Sequence, residues 1–283
     1  MARPARPAPA PPPARSRGAG WRVLAVALGL AALAAPRAEA QPDTLVVVTL
    51  NVWHDQADWP ARLDLIERGL RALGPDVVFL QEVLQKEGLP NQAETIAAAL
   101  GLPHVHFVSV DSAGATKRFG NAILSAHPFV ETAERRLPPL DAYRTAAYAL
   151  VEVGGQPVRL YTAHLHNPPT PEGRGARAME IAHLLDLVET TGGDAPLVLG
   201  GDFNAEPDWP ETQMLAAFRD LGGAGVTWGP PYTGVAGRRI DYLFDAAHPA
   251  LVPVAAGVAL DRADAEGRYP SDHFAVYARF VLP

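Results

Sequence analysis

The 283-residue sequence predicts an α/β protein made of two packed β-sheets covered by helices. Three observations carry this prediction. Short β-branched apolar runs recur along the chain, segments with apolar residues at helical spacing lie between them, and the Gly154-Gly155 pair makes a tight hairpin turn.

The elements follow in order. Leu45–Val52 is a buried strand. Leu63, Ile66, Leu70 and Leu73 repeat at helical spacing, and Gly74-Pro75 stops that helix. Asp76–Val83 is a second buried strand, and Asn91 caps a helix that runs to about Leu100 and ends at Gly101. His104–Val110, Asn121–Ser125, Ala146–Val153 and Val158–His164 read as strands. A Pro/Gly-rich loop at 167–175 precedes a long helix marked by Ile181, Leu184 and Val188. Leu197–Asp202 is a further buried strand, Thr212–Phe218 reads as helical, and Ile240–Phe244, Val252–Val258 and His273–Val281 complete the strands. Loops 111–119 and 229–238 are expected to be mobile and to shape access to a site.

The first forty residues have a different composition. Residues 1–20 are rich in Pro, Ala and Arg, Val23–Ala35 is an apolar run, and Pro36 leads into Ala38-Glu39-Ala40. A positive start, a short apolar stretch and an A-x-A end describe a secretory signal peptide. The expected organisation is therefore a cleaved leader at 1–40 and one domain at 41–283, secreted or periplasmic and monomeric. The apolar run is shorter than the roughly 20 residues that span a bilayer, so no stable membrane insertion is expected after cleavage. Arg15 and Arg17 are not adjacent, which speaks against a twin-arginine signal. The chain has no cysteine, which excludes a lipid-modified Cys and disulfides, so stability must come from the core.

Setting aside Arg3, Arg6, Arg15, Arg17, Arg22, Arg37 and Glu39 leaves roughly 18 basic against 30 acidic residues, a net charge of about −12. Such a surface repels polyanions, because Lys and Arg supply most non-specific affinity for nucleic acid. Nucleic acid is therefore the disfavoured substrate, and a small or lipid phosphoester the favoured one.

Polar groups gather at the expected strand ends: Asn51, Glu82, His164, Asp202, Asn204, Asp241, Asp272 and His273. An oxygen-rich, sulfur-free set suits a hard cation such as Mg²⁺ or Mn²⁺, and magnesium sites use one or two carboxylates and keep several waters. Glu82 and Asp272, with Asn51 close by, meet that need. Zinc is disfavoured, since there is no Cys cluster or His-x₃-His, and His164-x-His166 on a strand points its rings to opposite faces. His273, near its working pKa at neutral pH, is placed to take the proton of an attacking water. Asp241 on its other nitrogen would fix the tautomer. His164 and Asn204 would hold the phosphoryl oxygens.

Taken together, Thr49-Leu50-Asn51-Val52-Trp53, Phe79-Leu80-Gln81-Glu82-Val83, Thr162-Ala163-His164-Leu165-His166, Gly200-Gly201-Asp202-Phe203-Asn204, Arg239-Ile240-Asp241-Tyr242 and Ser271-Asp272-His273 resemble the endonuclease/exonuclease/phosphatase superfamily. The resemblance runs over about residues 44–282. It implies a four-layer α/β sandwich and Mg²⁺-dependent phosphoester hydrolysis by in-line attack of water. It also implies that His273, Asp202, His164, Asn204 and Asp241 are catalytic and that Glu82, Asp272 and Asn51 hold the metal. Asn121, in a further family segment from Gly120 to Ser125, and Arg144 are expected at the substrate, together with His166. Two departures stand out. Ala163 directly precedes His164, and Trp53 occupies the position where AP endonucleases usually carry Asp. The Asn-x-Trp and His-Leu-His strings resemble sphingomyelinase-like members, although the long apolar hairpin of secreted bacterial sphingomyelinases is not seen. The alternatives to a hydrolase of small or lipid esters are a secreted nuclease acting on DNA and a non-catalytic binding module that kept the fold.

Overall fold

The structure is a computed structural model and describes residues 8–11, 43–229 and 236–283. The expected leader, apart from 8–11, and residues 230–235 of the expected access loop lie outside the described residues. Among the described residues no helix is long and apolar enough to cross a membrane.

In chain order the strands are β1 (Asp43–Asn51), β2 (Val77–Gln85), β3 (His104–Ser109), β4 (Arg118–Ser125), β5 (Phe129–Leu137), β6 (Arg144–Val153), β7 (Gln156–His164), β8 (Leu197–Asp202), β9 (Arg219–Asp220), β10 (Asp241–Asp245), β11 (Val252–Ala259) and β12 (Ala275–Leu282). The helices are α1 (Trp59–Leu73), α2 (Gln92–Leu100), α3 (Pro171–Thr190) and α4 (Pro210–Gln213). One sheet has the order β11-β12-β1-β2-β4-β3 and the other β5-β6-β7-β8-β10-β9. Each has a parallel pair at its centre, β1 with β2 and β7 with β8, and antiparallel pairs around it.

Three apolar clusters define the four layers. Leu45, Val47, Phe79, Ile123, Leu160, Val198 and Leu243 pack between the sheets. Val46, Val48 and Leu50 point the other way and meet Ile66 and Leu70 of α1 and Ile96 of α2. Tyr148, Tyr161 and Leu199 pack on Ile181, Leu184 and Leu187 of α3. The two-residue period of β1 thus feeds two interfaces at once, which is why it is apolar at nearly every position. The helix ends follow the expected chemistry: Gly74 and Gly101 close α1 and α2 in the left-handed conformation, and Asn91 accepts from Ala93 N and Glu94 N.

Three expectations need correction. The 167–175 stretch is a loop only up to Thr170, whose side chain caps α3, so the helix starts at Pro171. Pro at the first helical position lacks only an N–H that the helix would leave unused. Helix α4 ends at Gln213 and the chain turns through 214–218 instead of continuing to Phe218. Strand β5 was not expected, because Val130, Glu131, Thr132, Glu134 and Arg136 on this sheet edge face solvent and leave no apolar run.

Candidate active site

Ladder register builds the site. Asp202 ends β8, where it pairs with His164 of β7 on one side and Asp241 of β10 on the other. Three adjacent strands therefore present an imidazole and two carboxylates in one row on one face. The backbone at Gly201 has φ +140°, and a Cβ there would lie 2.0 Å from Ala163 O, so only glycine lets β8 approach β7 this closely. From the opposite sheet, Asn51 at the end of β1 donates from Nδ2 to Asp202 Oδ2 at 3.0 Å, and its Oδ1 accepts from Trp53 N at 2.9 Å. Behind this contact a buried ladder, Thr49 to Gln81 to Thr162, ties the sheets together.

His273 enters just before β12. Its Nδ1 is 2.9 Å from Asp241 Oδ2 and its Nε2 is 3.7 Å from Asp202 Oδ2. Thr227 Oγ1 accepts from Asp241 N and Ile240 N and so holds the carboxylate strand in place. Burial works against a charged ring, but Asp241, Asp202 and Asp272 outweigh it and hold His273 above its usual range, so the ring favours the imidazolium more than its sequence position suggested. Burial and the Asp241 carboxylate push Asp202 up, against the pull of His273, Asn51 and Asn204.

His164 lies on the other side of Asp202. Arg144 has only donors, and its Nη1 is 3.0 Å from His164 Nδ1, so that nitrogen accepts and the proton sits on Nε2. Nε2 is 3.3 Å from Asp202 Oδ2. Burial, then Arg144 and His273, hold the His164 pKa well below its usual value, so this ring is a neutral donor.

Glu82 reaches the site through a bulge. The β2–β4 register shifts between Leu80 and Val83, and Glu82 takes φ +57°, a conformation a non-glycine residue adopts at a cost of about 1–2 kcal/mol. Its Oε2 lies 3.9 Å from His54 Nε2. Asp272 accepts from Trp228 Nε1 at 3.3 Å, and both burial and the nearby Glu82 charge raise its pKa. These groups line one cleft of about 410 Å³ with Trp53, Asn167, Asn204 and Arg238.

The residues offer two places for a cation. One is Asp202, Asp241 and His273, whose ligand atoms lie within 4.8 Å of one another. There the Asp241–His273 hydrogen bond already occupies a carboxylate and a ring nitrogen. The other is the Glu82–Asp272 pair, two mutually repelling carboxylates on the cleft wall.

Three expected substrate residues stand elsewhere. Asn121 is buried between the sheets, where its Nδ2 donates to Thr145 O at 2.8 Å. Arg144 sits behind His164 rather than in the cleft. The His166 ring does not line the cleft either, and its backbone N–H donates to Glu180 Oε2 at 2.8 Å. Asn121 and Arg144 each give a donor to a buried acceptor, Thr145 O and His164 Nδ1.

Sequence reasoning missed the supports. Loop 52–57 has Trp53, His54 and Ala57 at positive φ. Arg62 of α1, 1% exposed, holds that loop by donating to the carbonyls of Val52, Trp53, His54, Gln56 and Pro270. On the far side, Arg177 of α3 donates to Glu211 and to the carbonyls of His166 and Pro168, shaping the turn that carries Asn167. The only sequence signal for these groups was charge at positions whose helix neighbours are apolar.

Glu180, on the same face of α3, is fully buried with Oε1 unpartnered among the described residues. Burial lifts its pKa to about 7 against the His166 N–H, Arg144 and Arg177. For an acid whose folded pKa is raised, the extra stability is present below the unfolded value and is lost as pH rises through the folded one. The Glu180→Gln variant should therefore gain on wild type between pH 5 and pH 8, by on the order of 3 kcal/mol at most. Urea denaturation at both pH values checks this, and parallel pH dependence of the two proteins would refute it.

The structure is thus a four-layer sandwich with an acid–imidazole row at the edge between its sheets. The model of the Endonuclease/Exonuclease/phosphatase family matches residues 48–273, and the chain belongs to that family, whose phosphoesterase fold it carries. A putative neutral sphingomyelinase from Drosophila melanogaster is 30% identical over 181 residues, covering 58% of this chain and 40% of that protein. The chain thus matches less than half the length of that relative. An endonuclease/exonuclease/phosphatase from Beutenbergia cavernae superposes with a TM-score of 0.67 at 26% identity, over 85% of this chain and 72% of that one. TDP2 from D. rerio, solved with a single-strand DNA product, has a TM-score of 0.67 at 22% identity, over 84% and 98% of the two chains.

Proposed function

We propose that the protein is an exported, Mg²⁺-dependent hydrolase of small-molecule or lipid phosphoesters, acting by in-line attack of water on phosphorus. The observation that carries this reading is the aligned row of His164, Asp202 and Asp241, in which Asp241 backs His273 and the rest line one cleft with His273, Glu82 and Asp272. Glu82 and Asp272 fit a hard cation, since their repulsion is relieved by a positive charge and both are oxygen donors. Bound there, Mg²⁺ or Mn²⁺ would supply Lewis-acid polarisation of a phosphoryl oxygen and a lower pKa for nearby water.

The remaining work falls to the chain. Asp202, raised in pKa beside the cleft, orients the attacking water and accepts a proton, while His273, held by Asp241, balances charge and shuttles that proton. His164, a neutral donor whose Nε2 lies 3.3 Å from Asp202 Oδ2, would donate Nε2–H to the negative charge that develops on phosphorus. Asn204 donates one amide hydrogen to Leu165 O and keeps the second for a non-bridging oxygen.

Net charge supports a small or lipid ester over DNA. So does the pairing of two cations in this half of the molecule, Lys86 with Asp55 and Arg177 with Glu211. The sphingomyelinase name of the fly relative supports a lipid headgroup. Phosphorus NMR of residues 41–283 tests the reading on sphingomyelin, an inositol phosphate, a simple diester and duplex DNA, each with Mg²⁺ and with EDTA. The expected result is conversion of a lipid or small ester that EDTA abolishes. DNA cleavage alone would establish the nuclease alternative. No conversion, with no divalent-ion binding by calorimetry, would leave a non-catalytic module.

A further inference from the structure

We infer that Arg238 is the anion-recognition residue of this cleft and binds a phosphoryl oxygen of the substrate. The inference rests on the phosphoesterase reading above and adds a residue to it. Arg238 lines the cleft together with Asn204, Trp228 and His273. Its backbone exchanges hydrogen bonds with Trp228, N to O at 2.9 Å and O from N at 3.0 Å, and Trp228 in turn bridges to His273. The guanidinium is thus placed beside the catalytic row by main-chain pairing.

The side chain is held before any ligand arrives. Nε donates to Glu206 Oε1 at 2.9 Å, and Cζ lies 5.0 Å from the Trp209 ring centre and 5.9 Å from that of Trp228. Two indoles and one carboxylate hold the guanidinium in place. Nη2 is buried from solvent and meets no acceptor among the described residues. An unpaired buried donor is costly, more so when charged, and an incoming anionic oxygen removes that cost. A planar guanidinium with free N–H groups matches a phosphoryl group in geometry and charge. Arg174 strengthens the local field: its Cζ lies 4.3 Å from the Trp209 ring centre, and no carboxylate pairs with it among the described residues. In a domain of net negative charge this is a local cationic spot suited to one anionic group rather than to a polyanion.

The phosphoryl oxygen could belong to the scissile group or to a second phosphate beside it. KM and kcat are measured with Mg²⁺ for wild type, Arg238→Gln and Glu206→Gln. The substrates are bis(4-nitrophenyl) phosphate and thymidine 3′-phosphate 5′-(4-nitrophenyl phosphate). Calorimetry with inorganic phosphate is run on the same three proteins. Arg238→Gln is expected to weaken phosphate binding about tenfold or more. It should raise KM with kcat kept within about threefold. Higher KM on both substrates assigns the contact to the scissile phosphoryl, and higher KM on the second alone assigns it to the neighbouring phosphate. Glu206→Gln, which keeps the guanidinium, should bind phosphate at least as well as wild type. The inference is overturned if wild type binds no phosphate, if Arg238→Gln stays within twofold of wild type in phosphate affinity, or if Glu206→Gln loses as much. Should wild type turn over neither substrate, the phosphorus NMR panel decides the phosphoesterase reading, while phosphate binding by calorimetry still decides the role of Arg238.

Discussion

Asp241→Asn is expected to lower kcat by about three to four orders of magnitude while the fold stays intact, the size of effect seen when a carboxylate that orients a catalytic imidazole becomes an amide. Asp241 accepts from His273 Nδ1 through both of its oxygens, at 2.9 and 3.1 Å. An asparagine offers an N–H to that nitrogen in one orientation and only a neutral oxygen in the other. The ring then loses either its tautomer or the charge that stabilises its imidazolium. The backbone of residue 241 is held independently by Thr227 Oγ1 and by the β8 ladder, so local structure should survive. Losing the carboxylate that holds the buried His273 imidazolium costs stability, offset in part by relief of the repulsion with Asp202, so the melting temperature should fall while the protein stays folded. Single-turnover rates from pH 5 to 9, with melting curves of both proteins, check this. A loss of less than tenfold would mean that the Asp241–His273 pair is a structural contact.

Arg62→Met is expected to have the largest effect on stability, about 3–5 kcal/mol, because it removes a buried charged donor and strands the carbonyls it serves. Arg62 commits its N–H groups to five carbonyls of residues 52–56 and 270. Its guanidinium also lies 5.1 Å from the Trp53 ring centre and 5.3 Å from that of Trp59. Without it the carbonyls face an apolar thioether, and the positive-φ residues Trp53 and His54 lose what holds them. For a domain of this size the melting temperature should fall by on the order of 10 °C. Activity should fall further than unfolding explains, since loop 52–57 forms one wall of the cleft and Pro270 leads into Ser271-Asp272-His273. Arg62→Lys keeps the charge but has fewer donors, and should recover only part of the loss. A wild-type melt for Arg62→Met would show that loop 52–57 holds itself.

The strand-end motifs were legible because each couples a buried apolar run with a polar residue where that run meets solvent. Asn51, Glu82, His164, Asp202, Asn204, Asp241, Asp272 and His273 converge in the structure for that reason. Asn121, Arg144 and His166 followed the same pattern in sequence, but Asn121 bonds Thr145, Arg144 bonds His164, and none of the three lines the cleft. The pattern identifies a strand end without saying on which face or at what depth its side chain ends. Arg62 and Arg177 showed only a charge among apolar helix neighbours, and the partners of Arg62, Arg177, Glu180 and Arg238 could not be read because they lie far along the chain or are backbone carbonyls that any residue carries.

The sequence by itself determined the alternation of strands and helices, the acidic balance of the chain and the chemical types available at the cleft. These depend on local periodicity and composition, which are read along the chain. Only the tertiary structure decided which ring is neutral and which is charged, which arginine braces a loop and which keeps a buried donor unpaired. Those properties depend on burial and on the direction of hydrogen bonds between segments as distant as Val52 and Pro270. Desolvation and pairing act through space, so residues of one type that look alike in sequence, such as His164 and His273, take opposite electrostatic roles once folded.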